Sequence, residues 1–204
     1  MGSQALNGKG TGSKTYLNLG LVERGNGVSD PPEILSVLSS VLERSIQKNE
    51  KLMRISRMKD VITIFHGSKV PDLSIRQYIE RIFKYTICSP SCFVVAYIYM
   101  ERVLQQMNGY LTSLNVHRLL ITGFMLAAKF IDDLCHNNAY YAQVGGISTA
   151  EINRMEMKFL DSLDFRLHVT VETFDKFCLQ LEEEAAGKCH IQRTVRIWGQ
   201  RKGY

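Results

Sequence analysis

The stretch that most constrains the fold runs from Val116 to Asp133: Val-His-Arg-Leu-Leu-Ile-Thr-Gly-Phe-Met-Leu-Ala-Ala-Lys-Phe-Ile-Asp-Asp. Between Leu119 and Ala128 only Thr122 is polar. At about 3.6 residues per turn the apolar side chains reach every side of the wheel, the pattern of a helix enclosed by protein. Gly123, Ala127 and Ala128 are small and let neighbouring helices come close. Lys129 then stands with apolar residues on both sides. A cation in that setting must snorkel out of the packing or meet an acceptor, because burying it unpaired is costly. The fold therefore has to put helices around this segment, and it has to give the lysine something to do.

A second stretch, Phe93 to Leu104, is almost as apolar. Its composition would also suit two strands. Its length, and the charged pair Glu101-Arg102 followed by Val103 and Leu104, point to a buried helix running to about Met107 and ended by Asn108-Gly109. The remaining helices are amphipathic. Asp30-Pro31-Pro32-Glu33 is a helix start, with Asp30 as cap, Pro31 in the first position and Glu33 complementing the dipole. Ile34, Leu35, Val37, Leu38, Val41, Leu42 and Ile46 carry that helix to about Lys48. Val61 to Phe65 has strand-like composition but is short and ends at His66-Gly67, so no strand is expected there.

Ser74 is the expected cap of a helix whose inner face is Ile75, Tyr78, Ile79, Ile82 and Phe83. Ser89-Pro90 stops it and opens the next. Ala139 to Val144 reads as a short helical turn broken by Gly145-Gly146. Ser148-Thr-Ala-Glu151 is a capping box for a helix carrying Ile152, Met155, Phe159, Leu160 and Leu163 inward. Thr170 caps a last one, with Val171, Phe174, Phe177, Cys178 and Leu181 inside. The pattern weakens at Glu182-Glu183-Glu184 and Gly187. The expected organisation is a flexible Gly/Ser-rich tail over residues 1–29, an all-α domain over 30–184, and a basic tail over 185–204.

The 204 residues suffice for one domain with a real core. A net charge of +5 is mild; it suits an acidic protein partner and does not by itself argue for nucleic acid. No apolar run reaches the roughly 18 residues of a membrane span, and no basic-then-apolar leader opens the chain. The five cysteines are odd in number, and Cys88, Cys92 and Cys178 sit in apolar helical context, which points to reduced thiols. An intracellular protein of the nucleus or cytoplasm, not bound to membrane, is the expectation.

Chemistry is harder to find. The histidines are His66, His117, His136, His168 and His190, and no nucleophile-elbow, phosphate-loop, dinucleotide or zinc-protease pattern is present. Cys88 and Cys92 are separated by three residues, and Cys135-His136 and Cys189-His190 are adjacent pairs. Adjacent ligands are not the usual zinc spacing, and Cys92 falls on a core helix, so neither metal nor cofactor is expected. Asp132-Asp133 and the Glu182–Glu184 run read as solvated helix ends. No enzyme is expected; what remains is a binding module.

The motifs then take on a family character. Phe124-Met-Leu-Ala-Ala-Lys129-Phe-Ile-Asp-Asp133 resembles the third helix of a cyclin box, Tyr97-Ile-Tyr-Met-Glu101-Arg102 the end of its second, and Ile152 to Phe165 its fourth. The run from Ser74 through Tyr85, Ser89-Pro-Ser-Cys-Phe93, Asn115-Val-His-Arg-Leu119, Asn137-Asn138 and Val144-Gly-Gly146 resembles the plant P-type or U-type cyclins, which are similar to fungal phosphate-signalling cyclins. The resemblance covers residues 30–183 and implies a single five-helix cyclin box with an additional N-terminal helix. It implies a regulatory subunit that binds and activates a cyclin-dependent protein kinase in cell-cycle or nutrient signalling. Carried over residue by residue, Lys129 and Glu156 are the kinase contacts; the other reading of the two charges is that they pair with each other and hold helices together. Glu101 stands where many cyclins have aspartate, and Arg76 or Arg81 is the candidate partner for an internal salt bridge. The alternative is a cyclin-like fold bound to nucleic acid or acting as a transcription-associated adaptor, for which Arg193, Arg196, Arg201, Lys202 and Trp198 are the available residues.

Overall fold

A computed structural model describes residues 9–22, 31–57, 61–133 and 135–186. These form eight helices and, among the described residues, no strand: α1 Lys9–Asn18, α2 Glu33–Ser56, α3 Ile75–Tyr85, α4 Ser91–Gln106, α5 Val116–Ile131, α6 Asn138–Gly145, α7 Thr149–Ser162 and α8 Val171–Ala185. The two all-round apolar segments are α4 and α5, and they form the most extensive helix pair. Every residue of α5 from Leu119 to Ala128 is buried. The other helices wrap them, as an enclosed pair requires.

Close approach within the pair is set by small residues. A Cβ at Gly123 would stand 3.2 Å from Phe159 Cζ and 3.3 Å from the Ala96 carbonyl oxygen, so α4, α5 and α7 meet there with no room to spare. Around this point aromatic rings fill the core: Phe93 and Phe124 lie 4.6 Å apart, and Phe65 meets Phe159 edge-on at 5.8 Å. Phe65 explains the strand-like run at 61–65. The run is a loop that inserts one ring into the core while Val61 and Ile62 stay exposed.

The local start signals act as read. Ser74 accepts from the Gln77 amide, with Gln77 reaching back to complete a capping box, and Ser148 with Glu151 does the same for α7. The Thr170 hydroxyl accepts from the Thr173 amide. The start of α4 is displaced by one residue: Pro90 holds the cap position without a side-chain cap bond and the helix begins at Ser91, whose amide donates to the Ser89 hydroxyl at 3.2 Å. Val171, expected inside, is exposed because it occupies the first turn of α8 beside that cap.

Three further features differ from the sequence expectation. First, α2 starts at Glu33 after Pro32, two residues later than the Pro31 start; the proposed cap Asp30 lies outside the described residues. Second, α2 runs on to Ser56 rather than Lys48, because the α4–α5 loop holds its last turns. Asn49 donates to the Leu111 carbonyl at 3.0 Å, and the Ser113 amide donates to Glu50 at 2.9 Å. Third, part of the presumed flexible N-terminal tail is a helix docked on α8. Leu19 is buried, Tyr16 packs edge-on against Phe174 at 5.9 Å, and the Thr15 hydroxyl donates to Glu182 at 2.6 Å. Tyr16 also donates to Asp175, and burial with that bond pushes its phenol up to about 12. These contacts span most of the chain length, so periodicity within the tail could not announce them. The basic tail over 187–204, with Cys189, His190 and Trp198, lies outside the described residues.

Candidate functional site

Lys129 sits in the last turn of α5 and Glu156 midway along α7. The sequence placed both on core-lining helices, and the structure brings them together: Lys129 Nζ is 2.7 Å from Glu156 Oε1. Their side chains are 29% and 17% exposed, so the pair is partly dehydrated but open on one side. A third group holds it. Asn138, the first residue of α6, accepts from the Lys129 ammonium with its oxygen and donates to Glu156 Oε2 at 2.6 Å with its nitrogen. The same amide donates to Asn153 at 2.7 Å.

The bonding inventory shows what is left over. An ammonium has three donors, and Lys129 uses two on Glu156 and Asn138. A carboxylate offers about four lone-pair sites, of which Glu156 uses two. One donor and two acceptor sites therefore remain, held in fixed positions at the surface. That arrangement suits the carbonyl and amide groups of a docking backbone segment. Next to it, Phe130, Ile131 and Met157 are exposed apolar side chains on α5 and α7. Tyr85 and Ile87 are exposed where α3 leads to α4, and that joint is tied to the same end of the molecule. The Tyr140 hydroxyl of α6 donates to the Tyr85 carbonyl, and the Ser89 amide donates to Asp132 at 2.9 Å.

A sequence profile described as Cyclin matches residues 33–167, two-thirds of the chain. The chain is a cyclin. It is 57% identical over 173 residues to Cyclin-P3-1 of Oryza sativa subsp. japonica, covering 84% of this chain and 73% of the relative. It is 48% identical over 184 residues to Cyclin-U3-1 of Arabidopsis thaliana, covering 90% and 83%. Cyclin-U4-1 of Arabidopsis thaliana is 49% identical over 153 residues, covering 74% and 76%. The chain thus falls among the plant P- and U-type cyclins, a family of regulatory subunits. Helices α2 to α7 lie within the matched segment.

The other residues singled out in this cyclin go to different places. Arg76 pairs with Glu80 one turn on, at 2.9 Å, and Arg81 donates to the Gln143 carbonyl at 3.2 Å. Glu101 is half-buried on α4, and its neighbour Arg102 donates to the carbonyls of Arg166 and His168. His117 Nε2 bonds the Leu73 carbonyl at 2.9 Å, and burial lowers its pKa. Arg118 grips Glu151 at 3.1 Å; with the Ser148 amide and hydroxyl, which act most strongly, it holds that carboxyl down at about 2.

The carboxylate clusters prove less solvated than composition suggested. Glu184 is buried and meets Arg44, while Glu182 receives Thr15 and Asn18 of α1. Asp132 is half-buried and accepts from both the Ser89 amide and, at 3.3 Å, the Cys92 thiol. Cys92 lies in the first turn of α4, not in its middle, so its sulfur reaches Asp132 and the Cys88 sulfur. Sequence reasoning missed that convergence, and it named Asn138 as part of a motif, not as the bridge between two charges.

Proposed function

We propose that this cyclin binds a cyclin-dependent serine/threonine kinase through the surface around Lys129 and Glu156 and holds it in its active state. The observation that carries the proposal is the Lys129–Asn138–Glu156 cluster: opposite charges fixed by an amide, with one donor and two acceptor sites unspent at the surface. Hydrogen bonds to charged groups contribute about 1.5–3 kcal/mol each when they replace water well. The flanking Phe130, Ile131 and Met157 supply apolar area, and the expected interface is on the order of 2,000 Å² or more.

The cyclin does no chemistry in this scheme. It favours the kinase conformation whose regulatory helix is turned inward, so that the catalytic lysine–glutamate pair forms. The nucleus or cytoplasm is the site of action, with cell-cycle or nutrient signalling as its setting. The test is co-purification with candidate kinases and phosphorylation of a model substrate, comparing the parent with Lys129→Ala/Glu156→Ala. The parent should bind and activate, and the double variant should lose both. Undiminished binding by a folded double variant rejects the assigned surface.

A further inference from the structure

The Cys88–Cys92–Asp132 cluster takes no part in the surface just described. Cys88 lies in the chain between α3 and α4, Cys92 in the first turn of α4, and Asp132 directly after α5. One donor atom from each lies within 4.8 Å of the other two. We propose that these three side chains bind a zinc ion, with solvent as its fourth ligand.

The distances fit. Tetrahedral zinc, with bonds of about 2.3 Å to sulfur and 2.0–2.2 Å to oxygen, holds its ligand atoms roughly 3.5–3.8 Å apart. Cys92 Sγ is already 3.3 Å from Asp132 Oδ2, so small rotations of the three side chains complete the shell. The ligands are also supported from behind. The Ser89 amide donates to Asp132 Oδ2 at 2.9 Å and fixes the carboxylate, and the Thr86 hydroxyl lies 3.1 Å from Cys88 Sγ. Two thiolates select zinc over the hard cations magnesium and calcium. Cys92 is buried, whereas Cys88 and Asp132 are half-exposed and leave an entry path for the ion and a place for its water.

An ion there would pin the α3–α4 joint to the end of α5, three residues past Lys129. Its effect on partner binding rests on the kinase reading above; the metal site itself does not.

The test uses the tag-free full chain kept reduced with a phosphine, alone and as Cys135→Ser so that the exposed thiol cannot contribute. Both should carry zinc through dialysis against chelator-free buffer. Cobalt(II) should replace it with an ultraviolet thiolate-to-metal band and visible bands of tetrahedral geometry. Cys88→Ser should lose the charge-transfer intensity. Asp132→Asn should weaken zinc roughly tenfold or more, since losing a mere supporting group already costs about 10–100-fold. Should Cys92→Ser fail to fold, Cys88→Ser, altered at a half-exposed position, still decides the matter. Absence of bound zinc and of a cobalt–thiolate band, or a band undiminished in Cys88→Ser, overturns the proposal. Because metal is read on the cyclin alone, a missing kinase partner leaves the result intact.

Discussion

A double-mutant cycle on Lys129 and Glu156 separates what the pair does for the fold from what it does for a partner. The ion pair is short, at 2.7 Å, and its side chains are 29% and 17% exposed. Exposed pairs couple by about 0.2–1 kcal/mol. Breaking a fully buried pair costs about 3–5 kcal/mol, because the survivor is left dehydrated and uncompensated. This pair lies between those limits, so a coupling of about 1–2 kcal/mol is expected. Lys129→Ala leaves Glu156 with only the Asn138 amide, and Glu156→Ala leaves the ammonium with only the amide oxygen. Each single variant should lose about 2 kcal/mol, which for a domain of this size lowers Tm by roughly 4–8 °C. The double variant should lose less than the two added together, by the coupling energy.

Urea unfolding of the four proteins measures the cycle. Additivity within about 0.3–0.5 kcal/mol would show that the two side chains do not interact in solution and would refute the reasoning. The kinase arm then asks a second question. A purely internal pair predicts that kinase affinity follows stability, so that the double variant binds better than the sum of the singles implies. A pair that also holds the partner predicts that binding stays lost in the double variant although stability is partly regained.

Three further outcomes follow from the packing. Gly145→Ala would put a Cβ 2.9 Å from Ile121 Cγ1, a fully buried atom with nowhere to go, and should destabilise by about 1–3 kcal/mol in denaturant titration. Glu151→Gln keeps the capping acceptor but removes the charge held by Arg118. Because the folded-state pKa of Glu151 is depressed to about 2, its stabilisation is present above about 4.5 and lost as pH falls towards 2. The variant should therefore lose about 1 kcal/mol at pH 7, after discounting for its solvent contact, and show a flatter acid limb in unfolding followed by circular dichroism. Leu19→Ala should cost about 2–3 kcal/mol and speed proteolytic cleavage near α1; an unchanged unfolding midpoint would mean that α1 is not docked in solution.

Local chemistry was readable and long-range chemistry was not. Ser148 to Glu151, Ser74 and Thr170 name their helix starts because each cap bonds within three residues of itself. The enclosed helices α4 and α5 were equally plain, since an all-round apolar segment has only one place to go. By contrast, α1 contains Gly10, Gly12 and two threonines, a poor helix by propensity, and its order comes from contacts to α8 far along the chain. The cysteine cluster escaped for the same reason: the spacing of Cys88 and Cys92 is local, but Asp132 reaches them only because α4 and α5 lie side by side.

Lys129 shows how the core produces the surface. A lysine after Ala127-Ala128 signals that some acceptor must exist, but only the packing of α6 says which. That packing depends on Gly145: its missing side chain lets the end of α6 rest on Ile121 of α5, with the Tyr78 hydroxyl donating to its carbonyl at 3.2 Å. Gly146 then turns the chain in the left-handed conformation, at φ 69°, towards the Ser148 cap of α7. At the other end of the same helix, Asn138 is thereby delivered between a charge on α5 and a charge on α7. Widening the contact at Gly145 should consequently loosen the Lys129 cluster as well as the core. Gly145→Ala should weaken kinase binding beyond its effect on stability, although no atom of Gly145 belongs to the proposed interface. If affinity in that variant falls only as far as the folded fraction does, α6 is a passive connector and Asn138 does not position the pair.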